Sequence, residues 1–145
     1  QKGYRNLVDT TLLLTPTAKF NAYINYDYGQ NRTSASGTGI TAVPESSDHW
    51  SGVAFAAHQQ VTGKVALAGR YEYFNDNAGF STGTAQDLQE FTGTYEYKWA
   101  QGLLTRAEYR RDWSNVPFFH KGDTGIVDAQ STLTVAFIAF FGPKH

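Results

Sequence analysis

The sequence contains no cysteine among its 145 residues, and charged residues make up only 17% of it. Without cysteine, no disulfide framework, thiolate metal site or cysteine nucleophile can form. No apolar run of about 18 or more residues is present, so the sequence predicts no membrane-spanning helix. The formal net charge of −1 gives no field that would attract nucleic acid, and we expect no nucleic-acid partner.

Aromatic residues, in contrast, are abundant at 15%, a usage that favours β-strands. The clearest pattern runs from Gln89 to Trp113, where apolar and polar residues alternate with a period of two on both sides of the turn at residues 99–102. Apart from Arg111, the charged residues of both arms fall on one face, and the aromatic residues fall on the other. This pattern is typical of strands that meet lipid outside and water inside.

The whole chain, residues 1–145, is interpreted as one all-β segment of an antiparallel up-and-down transmembrane β-barrel with about seven strands. Short turns and long polar loops alternate between the strands, as they do in outer-membrane barrels. The predicted strands are residues 4–15, 18–28, 49–60, 64–75, 86–98, 103–113 and 130–141, and the long loops are residues 29–48, 75–86 and 114–129.

Aromatic side chains gather at both ends of the predicted strands. Amphipathic rings prefer the headgroup level of a membrane, so we interpret these residues as two interface girdles in contact with outer-membrane lipid. Near the long loops they are Tyr26, Tyr28, Trp50, Tyr71, Tyr73, Tyr109 and Trp113, and near the short turns they are Tyr95, Tyr97, Trp99 and Phe141.

The charged face supplies the candidate pore-lining residues: Arg70, Glu72, Glu96, Lys98, Arg106, Glu108, Arg110 and Asp112. A packed core could not bury so many charges cheaply, which argues against a soluble barrel. In a large barrel, charges of mixed sign would line a channel and filter solutes by charge and size. In a narrow barrel, the same residues would fill the lumen with cross-strand salt bridges.

The sequence shows no catalytic or metal-binding pattern. His49, His58, His120 and His145 lack the spacing of metal ligands, and Gly37-x-Gly39 precedes no predicted helix. The acidic residues on the charged face are interleaved with arginine, which favours a salt-bridged ladder over an acid/base pair. We therefore expect no enzymatic activity, no metal and no cofactor.

Three strings resemble the OmpL-like family of outer-membrane β-barrel porins. They are Tyr23-Ile24-Asn25-Tyr26-Asp27-Tyr28-Gly29, Arg70-Tyr71-Glu72-Tyr73-Phe74-Asn75-Asp76 with the loop after it, and Glu108-Tyr109-Arg110-Arg111-Asp112-Trp113-Ser114 with Pro117-Phe118-Phe119. The resemblance spans about Asp9 to Pro143. It implies a passive channel for small hydrophilic solutes in the outer membrane of a Gram-negative-type bacterium, without cofactor or catalysis.

Members of that family are longer, and the resemblance is to their C-terminal part. Bacterial barrels have an even number of strands, so seven strands cannot close in the ordinary way. We expect Gln1 to be a processed or truncated end, with the remaining strands supplied by a missing N-terminal part or by another chain, in preference to a short barrel that closes irregularly. A homo-oligomer stays open as a further source of strands. Two function classes other than a channel stay open: a non-conducting structural or interaction barrel, and a soluble β-barrel that binds an apolar ligand.

Overall fold

The computed structural model describes residues 3–34 and 44–141. Every regular element in these ranges is a strand: β1 (Gly3–Thr17), β2 (Phe20–Thr33), β3 (Ser46–Gln60), β4 (Val65–Asp76), β5 (Gln86–Ala100), β6 (Leu103–Ser114), β7 (Phe119–Lys121), β8 (Gly125–Val127) and β9 (Ala129–Ala139). Over the same ranges there is no helix of the length and hydropathy that a membrane crossing requires.

Seven strands form one antiparallel sheet in the order β1-β2-β3-β4-β5-β6-β9, and β7 and β8 form a separate small hairpin. Each long strand therefore pairs with its neighbour along the chain, and the prediction of an all-β antiparallel up-and-down fold is confirmed. The sheet is not closed, and β1 and β9 are its edges. Because all six pairings are antiparallel, these two edge strands run in the same direction.

Two features of the long connections differ from the prediction. The second strand continues to Thr33, because residues 29–33 stay in register with both β1 and β3 although they are a glycine and four polar residues. The β7–β8 hairpin lies within the predicted loop 114–129, and its three-residue strands are too short to give a periodic signal. The middle of the predicted loop 29–48, residues 35–43, lies outside the described residues, and so does His145.

Burial in the sheet is opposite to that of a protein with an apolar core. Among the described residues the buried hydrophobic side chains are those of Ala54 and Ala66, whereas the buried polar ones are Asp76, Gln86, Glu90, Thr92, Asp112 and Ser114. Large apolar side chains such as Phe91, Tyr95 and Leu133 are exposed. The polar residues lie on one side of the sheet, where a cavity spans β2 to β6, and we call this side the concave face. The opposite side is called the outer face.

Candidate pore-lining face

The register of β4, β5 and β6 places three carboxylates side by side across the concave face. Glu72 lies directly opposite Glu90, and Glu90 lies directly opposite Asp112. We call these three residues the acidic row. Two residues further along each strand, Arg70 and Arg110 flank Thr92, and we call the two arginines the basic row. Neighbouring carboxylates repel each other, so the acidic row needs cations close by.

The basic row supplies these cations. Arg110 Nη2 lies 3.0 Å from Glu90 Oε2 and 2.8 Å from Asp112 Oδ1. Arg70 pairs with Glu72, and its Nη2 lies 3.7 Å from Glu90 Oε2. The side chains of Glu90 and Asp112 are each only 8% exposed, so their charges are held in a poorly hydrated setting. Two arginines thus bridge three carboxylates.

Neutral donors complete the polar contacts of the acidic row. The Thr92 hydroxyl donates a hydrogen bond to Glu90 Oε1 at 2.7 Å, and Gln130 Nε2 of β9 donates one to Asp112 Oδ2 at 3.1 Å. Satisfied buried carboxylates of this kind hold their geometry, because each lost contact would leave a poorly solvated charge. The network therefore ties β4, β5, β6 and β9 together through side chains as well as backbone.

A second charged group lies nearer the short turns. Arg106 Nε donates to Glu96 Oε1 at 2.7 Å across the β5–β6 pair. Glu108 accepts a hydrogen bond from the Thr94 hydroxyl at 3.2 Å. Lys98 lies on the same face, close to the turn between β5 and β6, and is exposed. All eight candidate residues of the charged face are therefore on the concave side, although that they line a pore stays a prediction.

Among the described residues, the other wall of the concave face has no aspartate, glutamate, lysine or arginine at the level of the basic row. The cavity there, about 340 Å³ in volume, is lined on the β2–β3 side by Asn21, Tyr23, Ala56 and His58. Arginine and glutamate side chains of β4, β5 and β6 line its other side. Within the described chain, no three His, Asp or Glu side chains are placed to hold a metal ion.

A loop between β4 and β5, residues 77–85, lies at the long-loop end of this face. The carboxylate of Asp76, which is fully buried, accepts hydrogen bonds from the backbone N–H groups of Phe80, Ser81 and Thr82 at 2.8 to 2.9 Å. The Phe80 ring lies 4.7 Å from the guanidinium carbon of Arg5 on β1. The loop thus connects the β4–β5 end of the sheet to its β1 edge. No pattern in the sequence predicts this loop anchor.

The interface aromatics are distributed as the alternation predicted, with one exception. By register, the outer face carries Tyr26, Tyr28, Tyr71, Tyr73, Tyr95, Tyr97, Trp99, Tyr109 and Trp113. The Tyr97 and Trp99 rings pack edge to face at 4.7 Å, and Tyr71 lies 6.4 Å from Trp113. Phe141 lies just beyond the end of β9 and is 95% exposed.

Trp50 is the exception, because it lies on the concave face. It shares the side of β3 that carries Gly52 and Ala54, and its ring packs against Phe74 at 5.6 Å. The ring also lies directly over Gly29, the residue opposite it on β2. A side chain at position 29 would collide with the indole, so the glycine makes room for Trp50 on this side of the sheet.

The chain also matches the model of a known protein family. The family described as "Putative beta-barrel porin-2, OmpL-like" matches residues 1–141. No curated protein and no solved structure matches the chain.

Proposed function

Because the chain belongs to the OmpL-like family of β-barrel porins, we propose that it forms part of the wall of an outer-membrane channel for passive diffusion of small hydrophilic solutes. The membrane is that of a Gram-negative-type bacterium, and the outer face meets its lipid. Transport of this kind needs neither a catalytic residue nor a cofactor.

The single observation that carries the proposal is the inverted burial of the sheet. Arg70, Arg106 and Arg110 keep 40% to 47% of their side-chain surface exposed while they pair with carboxylates. A lumen filled with water accounts for this combination, since a dry core would have to bury the same charges completely at high cost. The exposed outer face carries rings and aliphatic side chains, which suit hydrocarbon and headgroup contact.

The open edges of the sheet call for further strands. In hydrocarbon an unpaired strand edge is very costly, so the sheet must be completed by other polypeptide. Since β1 and β9 run in the same direction, closing the barrel with antiparallel pairs alone requires an odd number of added strands. These strands come from elsewhere in the same polypeptide, from another chain or from a homo-oligomer.

Planar-bilayer recording on the assembled protein, purified in detergent from outer membranes, tests the proposal. We expect discrete conductance steps and the release of small sugars from liposomes that contain the protein. Insertion into bilayers without steps and without solute release would contradict the proposal.

The second candidate function is a non-conducting interaction barrel, and the anchored loop 77–85 favours it. A loop tied to Asp76 at one side and stacked on Arg5 at the other reduces the opening at the long-loop end. The two functions differ in the recording just described, because a closed barrel gives no conductance steps. A soluble barrel for an apolar ligand has less support, since the concave face that would hold the ligand is charged.

A further inference from the structure

We infer that the lumen formed by the concave face prefers cations over anions, with Asp9, Asp27 and Glu108 as the residues that set this preference. The inference rests on the proposed channel function and names the class of solute that the channel favours.

The first step concerns the arginines, whose charge is largely neutralised. Arg70 and Arg110 are shared among the three carboxylates of the acidic row, which leaves that group with more negative than positive charge. Arg106 is paired with Glu96. A passing anion therefore finds no arginine on this wall that lacks a carboxylate partner within the described chain.

The second step concerns the remaining carboxylates. Asp9 and Asp27 lie directly opposite each other on β1 and β2, and Asp27 lines the same cavity as Glu72. Glu108 accepts only a neutral hydrogen bond, from Thr94. Within residues 3–34 and 44–141, none of these three carboxylates forms an ion pair with lysine or arginine.

The third step concerns the position of the other cations on this face. Lys98 lies at the short-turn end, and Arg5 lies at the long-loop end beneath Phe80. The middle of the face, between these ends, has an excess of carboxylate. A negative potential along the middle of a narrow aqueous path raises the local concentration of cations and lowers that of anions.

The test measures the reversal potential of the assembled protein in a planar bilayer under a KCl gradient, which gives the permeability ratio of K⁺ to Cl⁻. We expect a ratio above one for the natural protein. A unit charge about 7 Å from a permeating ion contributes an energy close to RT in water, and salt at about 0.1 M screens this energy to about half. Because the charge stabilises K⁺ and destabilises Cl⁻ by the same amount, removing one charge is expected to lower the ratio about two- to threefold. The variants are Asp27→Asn and Glu108→Gln, which keep the size and hydrogen-bonding capacity of the side chain.

Asp87→Asn is the matched control, because Asp87 lies on the outer face of β5, opposite Asn75. It is expected to leave the ratio unchanged. Conductance steps with a ratio of one or below, or an equal change in the control and in both test variants, would overturn the cation preference while leaving the channel function intact. Absence of any steps would instead contradict the proposed function. Each of the two test variants decides the question alone if the other does not insert.

Discussion

Replacing Arg110 by glutamine tests whether the charged ladder stabilises the sheet. The change removes contacts of 3.0 Å to Glu90 and 2.8 Å to Asp112, two directly opposed carboxylates that are each 8% exposed. Removing one partner of a buried ion pair costs about 3–5 kcal/mol. Since the Arg110 side chain is 47% exposed, water screens part of this loss, and we expect a decrease of about 1–3 kcal/mol in the free energy of unfolding.

The neighbouring arginine provides the control. Arg111 lies on the outer face, where its Nη1 is 3.4 Å from the hydroxyl of Ser131 and no carboxylate pairs with it among the described residues. Arg111→Gln is expected to change stability by no more than about 0.5 kcal/mol. The assay is urea unfolding of the assembled protein in lipid vesicles, followed by tryptophan fluorescence.

A double variant separates charge from packing. If Arg110 acts through Glu90, then Glu90→Gln combined with Arg110→Gln is expected to be less destabilising than the sum of the two single changes. Equal losses for Arg110→Gln and Arg111→Gln, or full additivity in the double variant, would refute the reasoning.

Two further predictions concern the loop anchor and the outer face. Asp76→Ala removes the acceptor for three backbone N–H groups, so the loop 77–85 is expected to lose about 2–4 kcal/mol of local stability. Chymotrypsin is then expected to cleave the variant at Phe80 faster than it cleaves the unchanged protein. Equal cleavage rates for the two proteins would contradict the anchoring role. Leu133→Arg places a charge on the outer face and is expected to lower the free energy of unfolding in vesicles by about 2–4 kcal/mol. Thr134→Arg, on the concave face opposite Glu108, is expected to lower it by less than about 1 kcal/mol. Equal decreases for the two variants would be evidence against lipid contact at Leu133.

The separation of faces could be predicted from the sequence because it depends only on local alternation. A strand places successive side chains on opposite sides whatever its partners are, so Arg106 and Glu108 share a face as soon as β6 exists. The fold class could be predicted for a related reason, because the alternation of short turns and long loops between strands is also a local feature of the sequence.

Contacts across strands could not be predicted, because they depend on register. The alternation predicts Glu90 on the charged face without marking it as a pore-lining residue. Its central position between Arg70 and Arg110 appears only when β4, β5 and β6 are aligned. Register is set by turn geometry and by bulges such as the one between Lys98 and Ala100, which alternation does not reveal.

Trp50 is a second residue whose role depends on its neighbours across the sheet. Its place near a strand end suggested an interface aromatic, but its position in the alternation matches Gly52 and Ala54 on the concave face. The space above Gly29 on the adjacent strand is what admits the ring there. A residue's neighbours across the sheet therefore decide its role, and these neighbours are distant in the sequence.

The most direct test of the central claim uses single cysteines on β5, since these 145 residues contain none. Thr94→Cys and Tyr95→Cys are introduced separately. In lipid vesicles, the reaction of each cysteine with a water-soluble thiol reagent is measured first. In a second sample each cysteine carries a spin label, and oxygen, which concentrates in the lipid phase, is added as the relaxing agent. The account predicts that the cysteine at position 94 reacts with the aqueous reagent and that the label at position 95 is relaxed by oxygen. The reverse assignment, or aqueous reactivity at both positions, would contradict it.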